Sequence, residues 1–205
     1  MPSQAHSNFL DRMSEIDQLL EAHEALDRIH RAEGSLQAGP KTLEDVVAVV
    51  GHLVSAPGPG RPSQVQALNK AAIALLSAHL QGFVEDLFEE AANALLGGTV
   101  QDISTLIDEA PTRGNPNRHN IERLFGSIGF PSILDGMSWQ KMGNDAVLNR
   151  LRELNELRNR IVHGSTETVT KQVVRNYASF SRNFAARLDD RLRQRVHQVN
   201  GSYPW

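Results

Sequence analysis

The 205-residue sequence contains no cysteine, which excludes disulfides, thiolate nucleophiles and thiolate metal sites and points to a reducing, cytoplasmic setting. Aromatic residues make up only 5%, and no strand-like segment carries the stacking platform that many single-strand binders use. Long apolar runs are missing as well. The most apolar stretch, AAIALLSAHLQGFV, is too short and too interrupted to span a bilayer, and MPSQAHSNFLDRM lacks the basic and apolar regions of a secretory signal. No membrane association is expected. Metal-ligand spacing is also absent: His23 and His30 are seven apart, His52, His79 and His119 are isolated, and neither His-x-x-x-His nor Asp-x-Asp occurs. His79, on an apolar stripe, reads as a core histidine. The glycines of APGPGRP lack the Lys-Ser/Thr of a phosphate loop. Neither a metal nor a cofactor is expected.

What is present favours helix. Hydrophobic residues make up 40%, enough for a real core, and Ala, Leu, Glu, Arg and Gln, which lose little freedom on a helix, are plentiful. The expected fold is all-α. From Phe9 to His30 the positions Phe9, Met13, Ile16, Leu20, His23 and Leu26 recur at threes and fours, predicting an amphipathic helix that ends near Gly34. A short helix is predicted from Thr42. SAPGPGRPS, with three prolines and two glycines, reads as a linker over 55–63. A strong stripe from Gln64 to Leu96 predicts the central helix, closed by Gly97-Gly98. A brief helix over 101–109 and the loop PTRGNPNRHN follow, then a short helix in IERLFGSIGF and an irregular PSILDGMSW. Asn144 or Asp145 is expected to cap a helix carrying Leu148, Leu151, Leu154, Leu157 and Ile161, which stops at Gly164. From Thr166 a last long helix carries Val169, Val173, Tyr177, Phe180, Phe184, Leu188, Leu192 and Val196. The resulting division is a helical extension over 1–54, the linker, a bundle over 64–197 and a tail over 198–205.

The net charge of −3 conceals an asymmetry. Residues 1–110 hold six Lys/Arg against sixteen Asp/Glu, and residues 146–205 hold eleven against five. The cationic end can attract a phosphate backbone, with Arg187, Arg191 and Arg195 on the last helix as the expected phosphate contacts. It can equally pair with the acidic half of the chain. The acidic pairs Glu85-Asp86 and Glu89-Glu90 read as a solvated face of the central helix, with one of them available to hold an arginine.

The most informative stretch is LRNRIVHG, residues 157–164. At about 100° per residue, Arg158 falls at the edge of the apolar side of its helix, while Asn155, Asn159 and His163 form a stripe beside it. A guanidinium at such an edge needs partners or a task. Glu153, Glu156 or a central-helix glutamate could pair with it, and His163 could simply cap the helix. Arg160 points away from the apolar side. Arg158 and His163 lie roughly 140° apart around an ideal helix. They meet only if the arginine swings round or if a second copy of the helix faces the first across a two-fold axis.

The run Arg158-Asn159-Arg160-Ile161-Val162-His163-Gly164 resembles the signature of the HEPN superfamily: an Arg, a polar residue, and a His a few residues on. With NIERLFGSIGF upstream and the Gln64–Leu96 helix, residues 64–197 resemble the RiboL-PSP-HEPN branch. The resemblance implies a four- to five-helix bundle that dimerises through the motif helix and cleaves RNA without a metal. Arg158 and His163 take the paired catalytic places and Asn159 the polar one. An imidazole with an unperturbed pKa near 6.5 suits proton transfer, and a guanidinium can form two bonds to one phosphate. A toxin or defence effector controlled by an antitoxin or other regulatory protein would fit. The tyrosine motif of the branch paired with nucleotidyltransferase antitoxins is not here; Gly164-Ser165-Thr166-Glu167 follows the His instead. A catalytically inactive RNA- or protein-binding module is the alternative, and an unrelated helical adaptor a further one.

Overall fold

The computed structural model describes residues 1–37, 66–97, 115–164 and 166–205. The helices expected from Thr42 and over 101–109, the 55–63 linker and the first four residues of the PTRGNPNRHN loop lie outside the described residues. Among those described the protein is all-α, with five helices: α1 (Gln4–Gln37), α2 (Gln66–Leu96), α3 (Arg118–Gly126), α4 (Asn144–Val162) and α5 (Lys171–Asn200).

Helix α2 is central because it is apolar on more than one side. Beside the predicted stripe, Asn69, Ile73, Ser77, Leu80, Val84, Phe88 and Ala92 are buried too, so it packs against α1, α4 and α5 at once. By length and composition α2 could cross a membrane; here its apolar faces are taken by neighbouring helices.

The N-terminal helix is part of the same core rather than an appendage. Phe9, Met13 and Ile16 are fully buried in it, and the Phe9 and Phe83 rings sit 5.3 Å apart. Glu90 of α2 accepts from the backbone N–H groups of Gln4, at 3.1 Å, and Ala5, which satisfies orphan donors at the start of α1. Helix α1 continues to Gln37, past the expected stop near Gly34, and Leu26, expected on the buried stripe, is 38% exposed.

Two helix starts differ from expectation. The N-cap of α4 is Gly143, with no side-chain cap. Asn144 instead donates through Nδ2 to the carbonyls of Leu134 (2.8 Å) and Met137 (3.3 Å), tying α4 to the turns over 131–137, while Asp145 sits in the first turn where the macrodipole favours it. Helix α5 begins at Lys171, where the Thr170 side chain accepts from Val173 N at 3.3 Å. Thr166 lies before it in irregular chain. That connection is pinned by Asn69, whose Nδ2 donates to the Val169 carbonyl at 2.8 Å. The tail is docked as well: Tyr203 stacks on His197 with 4.0 Å between ring centroids, and Trp205 packs against the core.

Candidate active site

Helix α4 buries Val147, Leu151, Leu154, Asn155 and Leu157 against its own chain, and α2 supplies most of that cover. The apolar stripe is thus satisfied without a second copy. The margin beside it is polar, with Val162 exposed near its end. The stripe of polar residues is graded from core to solvent: Asn155 is buried, Asn159 half-buried and His163 exposed. His163 is the C-cap residue, its backbone N–H bonded to the Asn159 carbonyl at 3.0 Å. Gly164 then takes a left-handed φ of +79°, a conformation glycine adopts without penalty, and ends the helix.

Arg158 is half-buried at the edge of the core. The carboxylates of its own helix are engaged elsewhere: Glu153 by Arg150 at 3.2 Å and Glu156 by Arg152 at 4.0 Å. Arg160, exposed on the other side, pairs with Glu167 at 2.8 Å. The acidic pairs of α2 do not reach Arg158 either. Asp86 pairs with Arg12, Glu85 accepts from Gln81 and Glu90 caps α1. Glu89 has its carboxyl pushed above the usual range by burial and by Asp86 and Glu85. Arg158 donates from Nη1 to Asn159 Oδ1 at 3.2 Å, and among the described residues it forms no ion pair. The sequence-derived alternative of a carboxylate partner is not what these contacts show.

Sequence reasoning missed the segment over 115–120, which lies along the motif helix. Asn115 donates from Nδ2 to Asn159 Oδ1 at 2.7 Å, and Asn155 donates to the Pro116 carbonyl at 3.2 Å and to Leu151 O at 2.8 Å. Asn120 donates to the Asn115 carbonyl at 2.9 Å, and Asn117 caps α3 by accepting from Asn120 N. The signal was the run NPNRHN: so many carboxamides in one loop are more than a turn needs.

The basic end of the chain sorts into two sets. Lys171 and Arg175 pair with Glu24, and Arg182 with Asp17, which joins α5 to acidic α1. Arg158, Arg187, Arg191 and Arg195 form no ion pair among the described residues. Arg187 and Arg195 are exposed, whereas Arg191 is half-buried beside the Gly136 turn, with its charged form disfavoured by burial and by Arg195. These three are not gathered with the motif. Helices α4 and α5 run antiparallel, with Arg150 over the Tyr177 ring at 4.1 Å, so the motif lies beside the start of α5. From Lys171 to Arg187 the helix climbs about 24 Å at 1.5 Å per residue. A cavity of about 400 Å³ between α4 and α5 is lined by Arg150, Glu156, Arg160 and Tyr177 among others, but not by Arg158, Asn159 or His163. His79 lies 3.2 Å from Glu15 across the α1–α2 contact.

No curated protein and no solved structure matches the sequence. A family model does: that of RiboL-PSP-HEPN matches residues 92–194, half of the chain, from the last turns of α2 through α3 and α4 into α5. With the five-helix architecture and the Arg-Asn-x-x-x-His run at the end of α4, that match settles the family: the chain belongs to RiboL-PSP-HEPN.

Proposed function

We propose that the protein is a metal-independent endoribonuclease acting through Arg158, Asn159 and His163. One observation supports this most: Arg158 is held half-buried by a neutral carboxamide, while the flanking arginines of α4 are paired with carboxylates. A guanidinium placed this way keeps its full charge for an incoming anion. In the proposed step the substrate's 2′-hydroxyl oxygen attacks the adjacent phosphorus, the bond to the 5′-oxygen breaks, and a 2′,3′-cyclic phosphate and a 5′-hydroxyl form. The 2′-hydroxyl loses its proton and the leaving 5′-oxygen gains one; His163 carries out one of these transfers and solvent water the other. Arg158 bonds two phosphoryl oxygens and stabilises the charge that accumulates on them.

On an ideal helix Arg158 and His163 are roughly 140° apart, on different sides of the helix end. A homodimer formed across the polar margin of α4 would supply the two groups from both copies to one cleft. That same separation favours the second reading, a dimeric RNA- or protein-binding module without catalysis. A toxin or defence role, an antitoxin or other regulatory partner, and a cytoplasmic setting are proposals carried by the family and by the lack of cysteine.

The test is cleavage of RNA and of DNA of equal sequence in the presence of a chelator. RNA alone should be cut, leaving cyclic phosphate ends. Arg158→Ala and His163→Ala should each slow cleavage by about 10²-fold or more, the usual scale for losing a proton-transfer group or a charge-stabilising donor, while Arg160→Ala stays near the original rate. If the double replacement of Arg158 and His163 binds RNA and cuts it as fast as the original, the catalytic assignment fails. If no form cuts but the original binds RNA, the binding module takes its place.

A further inference from the structure

We infer that Asn115 is a positioning residue for Arg158, acting through Asn159. The direction of the relay follows from donor chemistry. A guanidinium can only donate, so the Asn159 atom 3.2 Å from Arg158 Nη1 is its carbonyl oxygen. The Asn115 atom 2.7 Å from that same oxygen must then be its amide nitrogen. Two donors converge on one acceptor, and the Asn159 amide nitrogen is left facing away from both. Asn115 is itself fixed: its carbonyl accepts from Asn120 at 2.9 Å, and the next carbonyl, of Pro116, accepts from buried Asn155. The relay crosses 44 residues of sequence and joins a loop to the motif helix.

Neutral amides have a consequence that carboxylates would not. An aspartate at 115 or 159 could hold Arg158 as firmly, but it would cancel the charge that a phosphate needs and would repel the phosphate itself. The Asn115-Asn159 pair restricts the guanidinium without neutralising it. Geometry of this kind acts chiefly on the transition state, because a misplacement of about 1 Å can lower a rate by about 10²-fold.

The kinetic half of this inference rests on the ribonuclease reading; the structural half does not, and the experiment separates them. In the full chain, the Nε–H resonance of Arg158 is followed by NMR in the original protein and in Asn115→Ala, Asn115→Asp and Asn115→Gln, with Arg160 as the internal reference. Asn115→Ala should shift the Arg158 resonance and speed its solvent exchange several-fold while Arg160 is unmoved, and Asn115→Gln, which keeps the donor, should restore part of the effect. In cleavage, Asn115→Ala should lower kcat about 10-fold with KM changed less than about 3-fold, on the lower side of that misplacement scale. Asn115→Asp should raise KM as well, because a carboxylate then meets the phosphate. An Arg158 resonance identical in the original and in Asn115→Ala overturns the relay. A shifted resonance in a protein that cuts no RNA supports the relay while removing the ribonuclease reading.

Discussion

Whether charge alone or the shape of the charged group matters can be asked at Arg158. The side chain is half-buried, with one nitrogen committed to Asn159 and the rest of the fork left over. Lysine at this position keeps the charge but presents a single flexible ammonium in place of a planar fork. It could not bond Asn159 and two phosphoryl oxygens in one fixed plane. Arg158→Lys should therefore recover little of the rate lost in Arg158→Ala, while recovering much of any lost RNA affinity, because affinity for the backbone is mostly charge. Comparable kcat values for Arg158→Lys and the original would show that a point charge suffices, and the bidentate role would be abandoned.

At the scale of elements, the long helices were legible in the sequence because their apolar period runs for many turns. Phe9, Met13 and Ile16, and Leu151, Leu154 and Leu157, are where the pattern put them. The ends were less legible. Gly143 caps α4 and Thr170 caps α5 because Asn144 is drawn away by the Leu134 and Met137 carbonyls and because Asn69 holds Val169, contacts made by distant residues. The Asn115–Asn159 bond is invisible for the same reason. The ion pairs of α1 with α5 were foreseeable only as bulk charge asymmetry, yet they make this contact depend on pH. His23 is buried on α1 with both ring nitrogens unpartnered. Its pKa is lowered by burial first, with Lys171 and Arg175 of α5 lowering it further and Asp27 and Glu24 opposing. Glu24 has its carboxyl lowered by the hydrogen bond from Lys171 and by Arg175. Both groups bind protons more readily when unfolded, so stability is lost on acidification: first as pH falls below the free imidazole value of 6.5, then again below the free carboxyl value of 4.5. Thermal denaturation against pH should show both steps, and His23→Phe should flatten the first while leaving the second. An unchanged slope between pH 6.5 and 5 in that variant would assign the acid sensitivity elsewhere.

Across the whole molecule the motif and the unpaired arginines of α5 are far apart, and under the proposed ribonuclease reading this distance bears on what length of RNA can meet both. Arg187 lies about 24 Å along α5 from Lys171, and a stacked strand rising about 3.4 Å per nucleotide needs about seven nucleotides to bridge that gap. On that reading a short oligonucleotide would engage the motif or the distal arginines, but not both in one chain. Arg191 is packed beside Gly136, so removing it also disturbs the 131–137 turns; Arg187 and Arg195, both exposed, are the cleaner pair to replace. On an RNA of about fifteen nucleotides, long enough to bridge the gap at this rise, Arg187→Ala with Arg195→Ala should raise KM several-fold and leave kcat alone. The slope of log affinity against log salt should fall by about 1.4, at about 0.7 per phosphate contact on a single strand. On a four-nucleotide substrate the same double variant should behave as the original does. If KM rises equally for both lengths, the distal arginines act near the motif, and the partner copy rather than the length of the strand is what brings them there. Light scattering on the double variant and the original would then show a dimer in both, because neither arginine lies on the α4 margin where the two copies are proposed to meet.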